Sequence, residues 1–341
     1  MSTPLALFLL AVVSLGMSTN VWLNLGRIGM RFVWPGCAAL ASWSLRNVCP
    51  NGSPLLPNAL VLRGYAAADR GDTQRAVADA ALALETAHRA SPDVCRWYVV
   101  NAAIDIYVNG GSYERALAAA DRWTAEAQAR GRAKQPHLPA YAAINRAEAL
   151  HNVGEHDAAL RLLDETEHQT KPGDRLSREG LALLRAWILS HVGCAPEAWM
   201  RLATIDRAVF GPRYRAEYHF TRAVALCEMG EIEAAEREAR AGTGAARRAA
   251  SRRNALHVEA RVAMAAKDDA RAIALLEQAR RHAYQGQAAP VLVHLGEAYE
   301  RAGKPAEARR AYQDALAADP NSYVCGAANA RLAVLADALR P

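Results

Sequence analysis

Three short stretches and six scattered thiols hold residue types that could do chemistry. HNVGEH, from His151 to His156, sets two imidazoles beside a carboxylate. A zinc hydrolase needs histidines four apart on one helix face with a glutamate beside the first. Here the spacing is five and a glycine interrupts it, so the stretch reads as a polar turn. GTGAAR, from Gly242 to Arg247, begins like a phosphate-cradling dinucleotide loop but lacks the third glycine and the preceding strand; it reads as a helix-end loop. Asn51-Gly52-Ser53 has the form of a glycosylation sequon, with nothing beside it to support its use. The six cysteines (Cys37, Cys49, Cys95, Cys194, Cys227, Cys325) form no CxxC pair and stand beside no histidine ligand spacing, which excludes a zinc ribbon and a disulfide scaffold. P-loop, nucleophile-elbow and kinase signatures are absent. The expectation is a protein without catalytic residues, cofactor or metal.

The chain around these stretches has 341 residues, 52% of them hydrophobic, enough for an ample core. Aromatic residues are only 6%, alanine and arginine abound and β-branched runs are scarce, which predicts an all-α protein. The net charge of +6 is almost wholly arginine; Lys134, Lys171, Lys267 and Lys304 are the only lysines. Arg247, Arg248, Arg252 and Arg253, with Arg280, Arg281, Arg309 and Arg310, make the C-terminal half more basic. A nucleic-acid stripe is one reading, but no aromatic residues interleave the dense first cluster, and solvated outer-face charge is preferred.

Residues 4–24 carry no charge, and Arg27, Arg31 and Trp34 follow. About 20 such residues cross a bilayer as a helix, so residues 1–31 are expected to anchor the chain with the arginine side, and all that follows, in the cytoplasm. The alternative is a cleaved signal, leaving the protein periplasmic or secreted; the segment lacks a basic leading region and a clear A-x-A site. Residues 32–55 read as an apolar linker or front cap.

From residue 56 a pattern recurs: a turn glycine, then an alanine five residues later. Gly71 with Ala76, Gly111 with Ala116, Gly154 with Ala159, Gly193 with Ala198, Gly230 with Ala235 and Gly303 with Ala308 fit; Lys267 with Ala272 fits with the glycine replaced. The alanines are 40, 43, 39, 37, 37 and 36 residues apart. Such a period marks stacked helical hairpins. Two antiparallel helices approach closely only where small side chains meet, so in the last unit Gly296 and Ala308 are expected at the contact, with Tyr299 and Tyr312 filling the space beside it. Gly303 suits a turn needing positive φ, and Pro320 stops the second helix.

This order resembles the tetratricopeptide repeat family, most closely in Leu295, Gly296, Tyr299, Gly303, Ala308, Tyr312, Ala315 and Pro320. The resemblance implies a right-handed α-α superhelix of about seven hairpins over residues 56–322, closed by a capping helix over 323–341 with Leu332, Val334, Leu335 and Leu339 facing inward. An N-terminal hydrophobic helix would precede it. In that family the first helix of each hairpin lines a concave groove that holds peptides. Carried over by position, the groove candidates are Tyr98, Asn101 and Asp105; Tyr141, Asn145, Glu148 and His151; and, for a more apolar middle, Trp187 and Phe220. The two-carboxylate clamp on chaperone tails needs lysines that are missing here; only Asn145 sits at a clamp position. The function implied is a non-enzymatic scaffold or adaptor for a protein or peptide partner, membrane-tethered, with a secreted binding protein and a nucleic-acid-associated repeat as alternatives.

Overall fold

The computed structural model describes residues 56–69, 72–90, 93–129, 138–210, 212–246, 249–281 and 285–338. The hydrophobic N-terminal segment, the linker at 32–55, Gly71, Arg247, Arg248 and Leu339 lie outside the described residues. Among the described residues there are fifteen α-helices, one short 3-10 turn (Arg207–Val209) and no strand, and no helix is long and apolar enough to cross a membrane.

The chain divides into two compact units, Met1–Ile106 and Tyr107–Pro341. The first holds α1 (Leu56–Asp69), α2 (Thr73–Ala90) and most of α3 (Asp93–Asn109). Its centre is Leu60, Val61, Ala76, Ala80, Ile104 and Ile106, with an ion pair set into it: Arg63 donates to both carboxylate oxygens of the buried Asp79 at 2.7 and 2.6 Å.

The second unit continues with α4 (Tyr113–Ala129), α5 (Leu138–Asn152), α6 (His156–Gln169), α7 (Arg175–His191), α8 (Ala195–Thr204), α9 (Pro212–Glu228) and α10 (Ile232–Ala245). It ends with α11 (Ala249–Ala265), α12 (Asp269–Arg281), α13 (Gln285–Arg301), α14 (Pro305–Ala318) and α15 (Cys325–Ala338). Sequence neighbours pack as hairpins, and the first helices of successive hairpins also touch one another: α5 on α7, α7 on α9, α9 on α11 and α11 on α13. That second set of contacts makes an inner layer.

The repeat signal acts through its turns. Gly111, Gly154, Gly193, Gly230 and Gly303 all have positive φ, and so does Lys267, at 64°, where the glycine is replaced. At each turn the residue following this position donates its N–H to the carbonyl five residues back: Ser112 to Tyr107, Glu155 to Leu150, Cys194 to Leu189, Glu231 to Leu226, Asp268 to Ala263 and Lys304 to Tyr299, at 2.8–2.9 Å. This is the six-to-one bond of a left-handed helix cap, which satisfies a carbonyl the helix end would otherwise leave open. The alanine five positions on is buried in every unit: Ala76, Ala116, Ala159, Ala198, Ala235, Ala272 and Ala308.

Between the turns, glycines admit rings. A Cβ at Gly296 would lie 2.5 Å from Tyr312 Cε1, so the Tyr312 ring rests directly on the α13 backbone, where the sequence placed it beside a Gly296–Ala308 contact. Gly242 does the same for Phe220, whose ring would be 2.4 Å from an added Cβ. GTGA is therefore helical, the end of α10, and not a helix-end loop. In the cap, Leu335 is buried and Leu332 packs on the core, but Val334 is 55% exposed, because it falls on the far side of α15.

Candidate functional site on the inner layer

The inner layer of the second unit gathers polar and aromatic side chains from α5, α7, α11 and α13. His151 is wholly buried at the end of α5. Around it stand His156, Trp187, His191 and Tyr323, with ring centroids 4.7, 4.5, 5.9 and 4.7 Å away. The Nδ1 atoms of His151 and His156 are 2.9 Å apart, so one carries the shared proton and the other accepts it.

The next histidine has its tautomer set by its partners. Arg261 Nη1 donates to His191 Nε2 at 3.3 Å, so that nitrogen has no proton, and His191 Nδ1–H donates to the Trp187 carbonyl at 2.8 Å. Arg261 also donates to Glu228 at 2.8 Å. Further along, His294 Nδ1–H donates to the Pro290 carbonyl at 2.8 Å and faces His257 Nε2 at 2.9 Å. His257 on α11 and His294 on α13 are 37 residues apart, close to one repeat.

Burial is the first cause that keeps all these imidazoles neutral, since a low-dielectric setting disfavours the charged form. It takes His151 down to about 2, with His191 and His156 adding to the effect. His191 falls to about 3 and His294 to about 4, in both cases through burial and then the Arg261 charge. His257 is lowered by burial and by its neighbour His294. Tyr323 is pushed up to about 12 by burial, against the pull of Arg261.

The loop between α14 and α15 closes one side of this region. Tyr113 Oη donates to Asp319 Oδ2 at 2.8 Å, a buried bond between residues 206 apart in sequence. The Tyr323 N–H donates to the Asn152 carbonyl at 2.9 Å, and its ring lies against His151 and His156. A Cβ at Gly154 would stand only 3.7 Å from Tyr323 Cβ. The seam thus joins the last hairpin of the unit to the α5–α6 turn.

Ser190 Oγ is 3.5 Å from His191 Nδ1, yet both donate to the Trp187 carbonyl, so no base faces the hydroxyl. Among the described residues no group of three or more His, Cys, Asp or Glu side chains converges as a metal site.

The structure scatters the groove residues expected from sequence. Tyr98 and Asn101 lie on α3, and Asp105 accepts from Tyr65 Oη at 2.8 Å, all in the first unit. Tyr141, Asn145 and Glu148 are half-buried on α5, each with contacts of its own. His151 and Trp187 meet in the ring cluster. Phe220 does not belong with them: it is 3% exposed in the α9–α10 core, drawn there by the space over Gly242. The sequence reading missed Tyr113, His191, His257, Arg261, His294, Asp319 and Tyr323. The one-repeat spacing of His257 and His294 was the available signal.

The described members of the arginine pairs differ in setting. Arg253 is buried and donates to Asn254 Oδ1, and Arg280 pairs with Glu277 at 2.8 Å. Arg252, Arg281, Arg309 and Arg310 are exposed.

Residues 289–322 match the tetratricopeptide repeat family. The match covers the α13–α14 hairpin, the unit in which the sequence pattern is fullest. A comparison with curated proteins finds no match. Among solved structures, the APC/C hetero-tetramer Cut9–Hcn1 is similar over 85% of this chain and 51% of its own, with 14% identity and a TM-score of 0.57. The human IFIT1 dimer with m7Gppp-AAAA is similar over 90% of this chain and 70% of its own, at 13% identity and a TM-score of 0.53. A tetratricopeptide repeat protein from Parabacteroides merdae covers 82% of this chain and 98% of its own at 15% identity, with a TM-score of 0.48. The family match at 289–322 and the two structures with TM-scores above 0.5 give the chain the fold of a tetratricopeptide-type helical-repeat array.

Proposed function

We propose that this tetratricopeptide-type array is a non-enzymatic adaptor that holds a protein segment against the inner layer of its second unit. The observation that carries the reading is the seam itself: an irregular chain segment, 319–323, already docks there through a side-chain bond, a backbone bond and ring contacts. Protein segments are recognised by these means, with backbone groups giving affinity and aromatic pockets giving selection. Trp187, His191, Arg261 and His294 extend the same surface inward with rings and hydrogen-bonding edges.

Tethering by the uncharged 4–24 segment, with the repeats on the arginine side of the membrane, is part of this proposal and is supported by composition alone. A tether would raise the effective concentration of a weakly held partner. Resistance of the full-length chain to a carbonate wash tests it, and full release into the wash would remove it.

The inner-layer assignment is tested by photo-crosslinking in cells, with the label placed at Trp187 and, separately, at the outward Met200, which is 64% exposed. Specific adducts to another protein are expected from position 187. Adducts from position 200 alone would refute the assignment.

A further inference from the structure

We infer that the 319–323 loop is a built-in stand-in for the partner: the rim made by Tyr113, His151, Asn152, Gly154 and His156 accepts a segment carrying a carboxylate followed four residues later by an aromatic ring, and the chain's own Asp319 and Tyr323 occupy it until such a segment displaces them. The inference rests on the scaffold reading above and names the class of partner.

The chemistry of the occupant defines the class. Asp319 is 4% exposed, and its two oxygens have separate tasks: Oδ2 accepts a hydrogen bond from the Tyr113 hydroxyl, at 2.8 Å, and Oδ1 accepts from the Asn321 N–H at 3.2 Å. The second bond folds the segment into an Asx turn, which sets the interval between carboxylate and ring. Pro320 and Asn321, between them, are exposed, so the rim reads the ends of the segment and leaves its middle free. At the far end, the Tyr323 N–H bonds to Asn152 and its ring meets two imidazoles. The Arg261 charge acts on Tyr323 and favours an anionic segment over a basic one.

The seam is also incomplete, as a displaceable contact should be. Ser322 Oγ and His151 Nε2 are both buried there, and neither has a hydrogen-bond partner among the described residues. An orphaned buried polar group weakens the contact that buries it. A partner that offers a donor or acceptor at either atom gains over the resident loop. The loop's own advantage is its covalent attachment, which gives it an effective concentration in the millimolar range. Partner affinity is reduced in proportion to the fraction of closed rim.

The test uses the full-length protein and a fluorescein-labelled peptide of sequence ADPNSYVA, read by anisotropy. Asp319→Ala/Tyr323→Ala, which vacates the rim, is expected to bind this peptide about tenfold or more tighter than the wild-type chain, as removal of an intramolecular competitor requires. Adding Tyr113→Phe should weaken that binding about tenfold, and a peptide with Asp and Tyr replaced by Ala should not bind. Equal binding by wild type and vacated variant, or none by a vacated variant with wild-type circular dichroism, overturns the inference. If the vacated variant does not fold, hydrogen exchange on the wild-type chain decides: saturating peptide must speed exchange of the Tyr323 amide, and an unchanged rate overturns the inference. A partner that crosslinks at Trp187 without altering that amide would leave the scaffold reading standing and remove this one.

Discussion

The buried imidazole of His151 makes a quantitative prediction about acid. An unfolded histidine titrates near 6.5, and in the fold burial holds His151 at about 2. Because the folded value is the lower one, the unfolded chain takes up the proton first as pH falls. Stability is therefore complete above roughly pH 7 and is lost progressively below about 6.5, with a limiting slope of about 1.4 kcal/mol per pH unit for each such group. Between pH 7.5 and 5.0 the loss from His151 comes to about 2 kcal/mol. His191 and His294, near 3 and 4, act in the same sense, though each keeps part of its surface open and contributes less than that figure. The raised carboxyls of Asp319 and Glu297 act oppositely, since their folded forms hold a proton more tightly. Urea unfolding of wild type and His151→Phe at both pH values separates the terms, because phenylalanine keeps a ring among His156, Trp187 and Tyr323 but cannot titrate. The variant should lose about 2 kcal/mol less than wild type on acidification. Equal losses in the two proteins would refute the claim that His151 is held neutral by the fold.

Three further substitutions probe the repeat geometry and the inner layer. Lys267→Gly should stabilise the second unit by about 0.5–1 kcal/mol in thermal melts, because it relieves a side chain held at φ 64°. Gly296→Ala should cost about 1–3 kcal/mol, since the new methyl meets the buried Tyr312 ring at 2.5 Å and the ring has no room to withdraw. Arg261→Met should raise the titration midpoints of His191 and His294 in a two-dimensional NMR titration, because the guanidinium now depresses both.

The parts of this molecule that could be read from sequence are those fixed over short distances. A residue at positive φ, a carbonyl bonded five residues on and an alanine at a close crossing all fall within ten residues, and natural selection of glycine and alanine leaves them visible. Lys267 shows the strength of the rule: its turn was expected from the period alone, and the backbone adopts the left-handed conformation there without the glycine. The ring slots were half legible. Gly296 was expected to face Ala308 with Tyr312 beside the contact, whereas the Tyr312 ring itself covers the glycine; Gly242 with Phe220 was not expected, because the glycine and the ring have exchanged helices between the two hairpins.

The inner layer escaped for a different reason. Position within a hairpin says which side chains share the first-helix face, and His151 and Trp187, two candidates chosen that way, have ring centroids 4.5 Å apart. It does not say what lies opposite them. That depends on how tightly successive hairpins turn, a sum of small packing angles set by many alanines and by loops of unequal length. Tyr113 and Asp319 are 206 residues apart, and neither is distinctive alone. They meet only because the accumulated turn of the second unit brings its last loop to the α5–α6 turn. A surface that would be an open groove in a looser array is here partly filled by its own chain. On the proposed adaptor reading, specificity follows from the pitch of the array as much as from the residues along it, and changes to turn length between α4 and α14 should alter partner binding even where no inward side chain is touched.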